Sequence, residues 1–254
     1  GHINNTTRGS DQDDGEAAGG RMALRFTPSD DVEVLFSADF SSTDYGITLG
    51  VVEGCNCYIV DEDLDSRIES ENGGAGLTIN WELPLFTVTS VTGYRKIRET
   101  NDYDPDSSGS LLGNRQQFLH KSNFLSEELR LSSNDDSDLK WTVGGFAFAN
   151  EDKIVRTLDI LDTTGTPEAA ASFAIFEGTS LHNPKSNIER DGYAVFGQAT
   201  YTMLDDRLDL TLGGRYSRET ASVDRDAFFT IPLIPLTVDF EAAASESFSG
   251  FTSM

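Results

Sequence analysis

In the stretch DGYAVFGQATYTMLDDRLDLTLGGRYSRET, residues 191–220, apolar and polar side chains alternate. Tyr193, Val195, Gly197, Ala199 and Tyr201 share one face of an extended chain. Leu208, Leu210, Leu212, Gly214 and Tyr216 share a face of the next, and LDD turns the chain between them. Period-two alternation bounded by turn residues predicts antiparallel strands joined as a hairpin. Three more such pairs precede it. Arg21 to Thr27 and Val32 to Ser41 are joined by PSDD, and Gly76 to Leu83 and Phe86 to Arg98 meet around Pro84. Asn123 to Ser132 and Leu139 to Asn150 are joined by SNDDSD. Helix signals are almost absent; TPEAAASFAIFE, 166–177, is a short helix candidate inside a connection.

The connections between pairs are expected to be long: 43–75, 99–122, 151–190 and 222–244. Structureless loops beyond about 15 residues are uncommon in compact domains. Short turns on one side and long loops on the other belong to outer-membrane barrels, whose tilted strands need about 9–11 residues to cross the bilayer. Aromatics near the ends of the runs (Phe26, Phe40, Trp81, Phe86, Tyr94, Trp141, Tyr193, Tyr201, Tyr216) suit interfacial girdles. The structural rival is a β-sandwich, which would cover the apolar faces with a second sheet. Against it, the opposite faces carry Arg25, Glu33, Asp39, Glu128, Arg130, Gln198, Asp209 and Arg215.

Charge and composition narrow the function. Among 254 residues, 43 are acidic and 19 basic, a net charge of -24, so there is no basic footprint for nucleic acid. Acid is concentrated at 53–71, which reads as a solvated loop. Cys55 and Cys57 are too close for an easy disulfide and lack the second pair of a zinc site; their oxidation state is left open. No catalytic motif is present, and no metal or cofactor site is assigned. His2, His120 and His182 read as solvated residues of loops or their flanks. DEDLD (61–65) and DYDPD (102–106) start like calcium loops, but Ser66 and Ser107 stand at the sixth position, and Asn72 and Gly113 at the twelfth. The most basic patch is GYRKIRE, whose Arg95, Lys96 and Arg98 are the candidate ligand-binding residues, facing an anionic ligand or a lipid phosphate at the rim. Pairing with Glu99 or loop acids is the plainer alternative. Glu128 with Arg130, and Arg215 with Glu219, are expected to pair across strands or meet a plug.

Five segments carry a family resemblance: RFTPSDDVEVLFSADF (25–40), TSVTGYRK (89–96), LSEELRLSSND (125–135), LKWTVGGFAFANED (139–152) and YAVFGQATYTMLDDRLDLTLGGRYSRE (193–219). Together they resemble the β-barrel of TonB-dependent outer-membrane receptors. The resemblance implies an all-β, antiparallel meander, about 8–9 strands of a presumed 22-stranded transmembrane barrel, with short periplasmic turns and long extracellular loops. It makes residues 1–254 a partial barrel domain without its plug and terminal strands. The implied location is the outer membrane of a Gram-negative bacterium. Implied partners are outer-membrane lipid and lipopolysaccharide, the periplasmic TonB coupling protein acting through the plug, and a small ligand such as a ferric siderophore. Haem, cobalamin or oligosaccharide cargo, a passive porin-like barrel and a soluble sandwich adhesin are the alternatives.

Overall fold

The computed structural model describes residues 2–48, 58–104, 107, 109, 113–134, 139–162, 180–204, 207–231 and 236–253. Three two-residue strands, β1 (Asn4–Asn5), β2 (Ser10–Asp11) and β5 (Ile59–Val60), form a small sheet in the order β2-β1-β5. The long strands are β3 (Gly15–Ser29), β4 (Val32–Gly46), β6 (Arg67–Glu82), β7 (Phe86–Tyr103), β8 (Gly113–Ser133), β9 (Leu139–Asp162), β10 (Ser180–Met203), β11 (Leu208–Ile231) and β12 (Leu236–Ser253). They make one nine-stranded sheet in which each long strand pairs antiparallel with its neighbour in sequence. This is the meander that the alternation implies.

The strands of each pair end and begin beside PSDD, Pro84, SNDDSD and LDD, where the turns are expected. The long connections do not fall as expected. β6 begins at Arg67 rather than Gly76, β8 at Gly113 rather than Asn123, and β9 runs on to Asp162. The chain between β11 and β12 shrinks to 232–235. Much of these extensions is polar on both faces (Thr100, Asn101, Gln116, Gln117) and their apolar residues, such as Phe118, Leu119, Ile154 and Val155, do not alternate, so the backbone ladder continues where the hydrophobic period has gone. Apolar alternation marks the part of a strand that meets apolar surroundings, not its length. The helix candidate at 166–177 and the pair Cys55 and Cys57 lie outside the described residues.

Two sheets packed face to face are not found among the described residues. Only Val60 and Ala194 are fully buried apolar side chains there. Meanwhile Phe26, Leu210, Leu212 and Phe251 are all more than 60% exposed. A sheet of this size cannot be held by so small a core in water. Its apolar face needs an apolar solvent, and a bilayer supplies one.

Register gives the geometry of that contact. The pairing can be followed from Phe40 on β4 through Gly73, Lys96, Asn123, Glu151 and Glu189 to Ser222 on β11. Yet the apolar run on β11 tops out at Tyr216, six residues lower. The row of Phe36 ends at Arg218, and that of Val32 at Gly214; the corresponding points of the β11 run are Leu212 and Leu208, again six residues away. The apolar band thus slips about one residue, roughly 3.4 Å, for each strand spacing of roughly 4.8 Å. That is a strand tilt of about 35°, at the lower end of the range for membrane barrels.

Along this inclined band the aromatics fall on two lines. Phe40, Tyr94, Tyr193, Tyr216 and Phe251 mark the upper one, and Trp81, Phe86, Trp141 and Tyr201 the lower, by the turns. Eight residues separate Tyr193 from Tyr201. After tilt this is about 22 Å of height, close to the roughly 25 Å of an outer-membrane apolar band. One carboxylate, Glu127, stands on the apolar face near the upper line. Ser90 Oγ and Thr92 Oγ1 donate to it at 2.8 and 2.5 Å from the neighbouring strand.

The geometry distinguishes the two faces of β10. Gly197→Arg, at the centre of the apolar band between Tyr193 and Tyr201, should cost about 2–4 kcal/mol of barrel stability. Gln198→Arg, one residue away on the polar face, should cost under about 1 kcal/mol. Urea unfolding of the complete barrel in lipid vesicles measures both.

Candidate functional site

Strand alternation splits the candidate cluster. Arg95 points to the polar face, whereas Lys96 and Arg98 point to the face that carries the apolar band, above the line through Tyr94. The sequence places these three side by side; the structure does not bring them together. Arg95 leaves β7 and crosses over β6 to reach Asp39 on β4. Its Nη2 donates to Oδ1 at 2.8 Å and its Nη1 to Oδ2 at 3.1 Å. Gly74 clears the path, since a Cβ there would lie 2.9 Å from Arg95 Nη2. The partner is therefore a strand residue two strands away, not Glu99 or a loop acid.

Other polar-face charges are likewise satisfied locally. Arg25 pairs with Glu33. His120 Nε2 lies 3.3 Å from Asp152 Oδ1. Glu128 and Arg130 meet along one strand at 3.8 Å, rather than across strands as expected. The Arg215 guanidinium sits 5.9 Å from the Phe196 ring centroid, a cation–π contact that crosses from β11 to β10. Phe124 and Phe148 stack with centroids 6.0 Å apart on the same face. Towards the turn end, an open hollow of about 470 Å³ is lined by Arg130, Ser132, Lys140, Thr142, Gln198 and Thr200. The polar face is a hydrogen-bonding wall studded with rings and paired charges. It offers binding groups and, among the described residues, no nucleophile–base pair.

The other end of the wall carries a small module that sequence reading missed. β1, β2 and β5 bring residues 3–12 against 58–66, above β4, β6 and β7. Its interior is polar: Asn5, Gln12, Glu62, Ser66 and Asp104 are all buried. Asn5 Nδ2 donates to the Glu62 carbonyl at 2.8 Å. The Glu62 carboxylate accepts from Thr48 Oγ1 at 2.9 Å, Gln12 Nε2 at 3.2 Å and Ser66 Oγ at 3.2 Å. Gly46 is needed by close approach, because a Cβ there would lie 1.9 Å from the Gln12 carbonyl oxygen. Arg67 ties the module to the sheet through Asp14, Asp44 and Asp65.

This module overturns the reading of 61–65 as part of a solvated run or calcium-loop start. Asp61 accepts from Thr6 and Thr7, Glu62 is buried, and Asp65 pairs with Arg8 at 2.8 Å. In the second acidic motif Asp102 takes a bidentate pair from Arg115, and Asp104 is buried. Asp106 lies outside the described residues. Among the described residues no group of three or more His, Cys, Asp or Glu is placed to hold a metal ion. His2 is exposed, with its backbone N–H on Asp13. His182 sits in β10 opposite Thr157 and Phe228. No sequence signal beyond isolated Asn and Gln residues announces the module. The contacts of Asn5 and Gln12 with Glu62 span 57 and 50 positions in the chain.

Two outcomes follow from these contacts. A double-mutant cycle of Asp39→Ala and Arg95→Ala should return a coupling of about 1 kcal/mol or less, because both side chains are more than 40% exposed. Separately, the N–H of Ile3, donating at 2.7 Å, holds the Asp13 carboxyl below its usual 3.8. The folded group ionises at lower pH than the unfolded chain's, so its contribution is complete above about pH 3.8 and is lost as pH falls through the folded value. Pepsin cleavage within residues 2–14 should rise over that interval.

The wall has known counterparts. The chain is similar in fold to the ferric yersiniabactin uptake receptor FyuA from Yersinia pestis, at TM-score 0.66 and 17% identity, covering 100% of this chain and 37% of that one. It is also similar to the siderophore receptor PiuA from Acinetobacter baumannii, at TM-score 0.60 and 13% identity, over 95% and 40% of the two chains. BauA, the ferric preacinetobactin receptor from Acinetobacter baumannii, gives TM-score 0.57 and 12% identity over 94% and 37%. The chain thus spans about two fifths of the length of these receptors. Among curated protein sequences none matches. The family described as TonB dependent receptor-like, beta-barrel matches residues 4–253. With its tilted, girdled meander and that match over almost every residue, the chain belongs to the TonB-dependent receptor-like β-barrel family.

Proposed function

We propose that the complete protein is an outer-membrane receptor for energised uptake of a ferric siderophore, and that residues 1–254 supply part of its barrel wall and mouth. The observation that carries this reading is the fold likeness over at least 94% of the chain to three receptors that are themselves siderophore receptors. Outer-membrane location agrees with the exposed apolar band and its two aromatic lines.

In this reading the polar face looks into the lumen. Its stacked rings and paired arginines offer contacts to a plug or a passing ligand. The plug, and coupling through it to the periplasmic TonB protein, belong to parts of the receptor beyond this barrel segment. Of the three candidate cations only Arg95 is on the ligand's side of the wall, with Asp39 as its resting partner. Lys96 and Arg98 face the lipid and lipopolysaccharide. No covalent step is asked of any residue; the work is binding, followed by plug movement.

Uptake of radiolabelled ferric siderophores by iron-starved cells tests the reading, using a strain whose only ferric-siderophore receptor is the complete protein. Saturable accumulation that disappears when the TonB protein is deleted is expected. Accumulation that survives the deletion and rises linearly with concentration would mark a passive pore instead.

A further inference from the structure

On the lumen side of the wall, above the apolar band, β7, β8 and β9 bring two metal-binding groups face to face. Glu99 on β7 is opposite His120 on β8 in register, and Ile154 on β9 is opposite His120 on its other side. All three share the polar face with Arg95 and Phe124. Tyr94 marks the upper aromatic line on β7, and Glu99 stands five residues beyond it, roughly 14 Å higher after tilt. Directly opposite Cβ atoms in a sheet lie about 4.5–5.5 Å apart, so two such side chains can meet on one shared atom. Among the described residues no ion pair within 4.0 Å joins Glu99 to His120, whose carboxylate partner is Asp152.

Each group is oriented by a neighbour. His120 Nε2 lies 3.3 Å from Asp152 Oδ1, and Asn150 Nδ2 donates to the other Asp152 oxygen at 2.7 Å. Partial burial works to raise the Asp152 carboxyl, but hydrogen bonds from Ser122, Asn150 and His120 hold it below its usual 3.8. Asp152 is therefore ionised at neutral pH and accepts from Nε2–H, which leaves the lone pair of a neutral imidazole on Nδ1. No hydrogen bond engages Nδ1 among the described residues. On the facing strand, Glu99 Oε1 accepts from Asn101 Nδ2 at 3.1 Å, and Oε2 has no hydrogen bond among the described residues. A carboxylate on the far nitrogen of an imidazole, and a hydrogen bond to a carboxylate, are the supports that orient metal ligands. Ile97, Phe118 and Ile154 border His120 on the same face and reduce the water that competes for these groups. Among the described residues no three such groups gather to hold a bare ion. Two donors suffice for an ion that arrives already chelated.

We infer that Glu99 and His120 are direct iron ligands for a ferric siderophore that offers fewer than six donors, with Asp152 and Asn101 as positioning residues. A tetradentate chelator leaves two positions on six-coordinate iron to water. On docking the two waters leave, and the imidazole Nδ1 and a Glu99 carboxylate oxygen take their places. Each new bond uses a lone pair of the protein, no proton is released, and the iron stays ferric. A hexadentate complex has no position to give. The inference rests on siderophore uptake as proposed above and narrows its cargo to incompletely wrapped complexes.

The test uses the complete receptor purified in detergent and two probes. One is the ferric complex of a linear dihydroxamate at one chelator per iron, which leaves two positions open; the other is a ferric trihydroxamate, which leaves none. Variants are His120→Ala, Glu99→Ala and Asp152→Asn, each checked as a folded barrel by heat-modifiable gel migration. The parent should bind the dihydroxamate complex at least about tenfold more tightly than His120→Ala or Glu99→Ala, and about tenfold more tightly than Asp152→Asn. Pulsed electron paramagnetic resonance should show imidazole nitrogen coupled to the iron in the parent, Glu99→Ala and Asp152→Asn. That coupling should vanish in His120→Ala, and the trihydroxamate should bind all four proteins equally without it. Equal binding of the dihydroxamate complex by parent and His120→Ala overturns the site. So does a parent spectrum without nitrogen coupling, or a parent that binds neither probe or only the trihydroxamate. Any of these results beside intact TonB-dependent uptake in cells removes the ligation and leaves the receptor reading in place; loss of that uptake for every ferric siderophore removes both.

Discussion

Everything in this chain depends on the backbone ladder between neighbouring strands. In hydrocarbon there is no water to satisfy an N–H or a carbonyl, so each must be met by the next strand. The register obeys that demand. Among the described residues, shifts occur at Phe26/Ser29 beside a turn, and at His182/Lys185, Asn183/Ser186 and Gly113/Asn114 far above the upper aromatic line. Between the two lines, pairing runs without a break from β3 to β11. The near-absence of a buried apolar core is the counterpart of the same constraint. The ladder holds the sheet, and the bilayer solvates its face.

Tilt converts that ladder into function-bearing positions. Residues in one backbone row are not at one height, because the row is inclined by about 35° to the membrane plane. Tyr94 and Tyr193 share a level although the row of Tyr94 meets β10 at Asp191. The same slip carries Glu127 to the rim, where two neighbouring hydroxyls serve its carboxylate, rather than to the band's centre, where it would cost most. Alternation adds the second coordinate. It puts Arg95 over Gly74 towards Asp39 and its neighbour Lys96 on the opposite side of the wall.

The parts of this fold legible in the sequence are those where lipid imposes a pattern. Val32 to Phe40 and Tyr193 to Tyr216 could be read because the apolar side is continuous and the turns carry Pro, Asp and Ser. The upper strand extensions could not be, since residues such as Thr100 and Gln117 carry no apolar alternation and are held by the backbone ladder and polar contacts, such as that of Gln117 Nε2 with Asp102. The module around Asn5 and Glu62 was invisible for another reason. Its contacts join distant segments, and its interior is made of amides, hydroxyls and a carboxylate that look like loop composition. Asp39 as the partner of Arg95 required knowing the strand order, because it lies 56 positions away.

The distribution of charge bears on how a ligand would approach. The chain's net charge is -24, yet the lumen-side wall sets cations against carboxylates at Arg25 and Glu33, Arg95 and Asp39, and Arg130 and Glu128. Much of the surplus acid therefore sits elsewhere, including the mouth, where Asp13, Asp14, Asp61 and Asp65 gather around few bases. Physiological salt screens such a field within about 8 Å. An anionic iron complex would feel repulsion only on close approach to the mouth, and little net field beyond it. In the proposed uptake, long-range attraction by this part of the barrel is then a poor source of capture rate. Affinity must come from short contacts made after entry, of the kind that rings such as Phe124 and Phe148 and a guanidinium already held in place can offer without first being ordered.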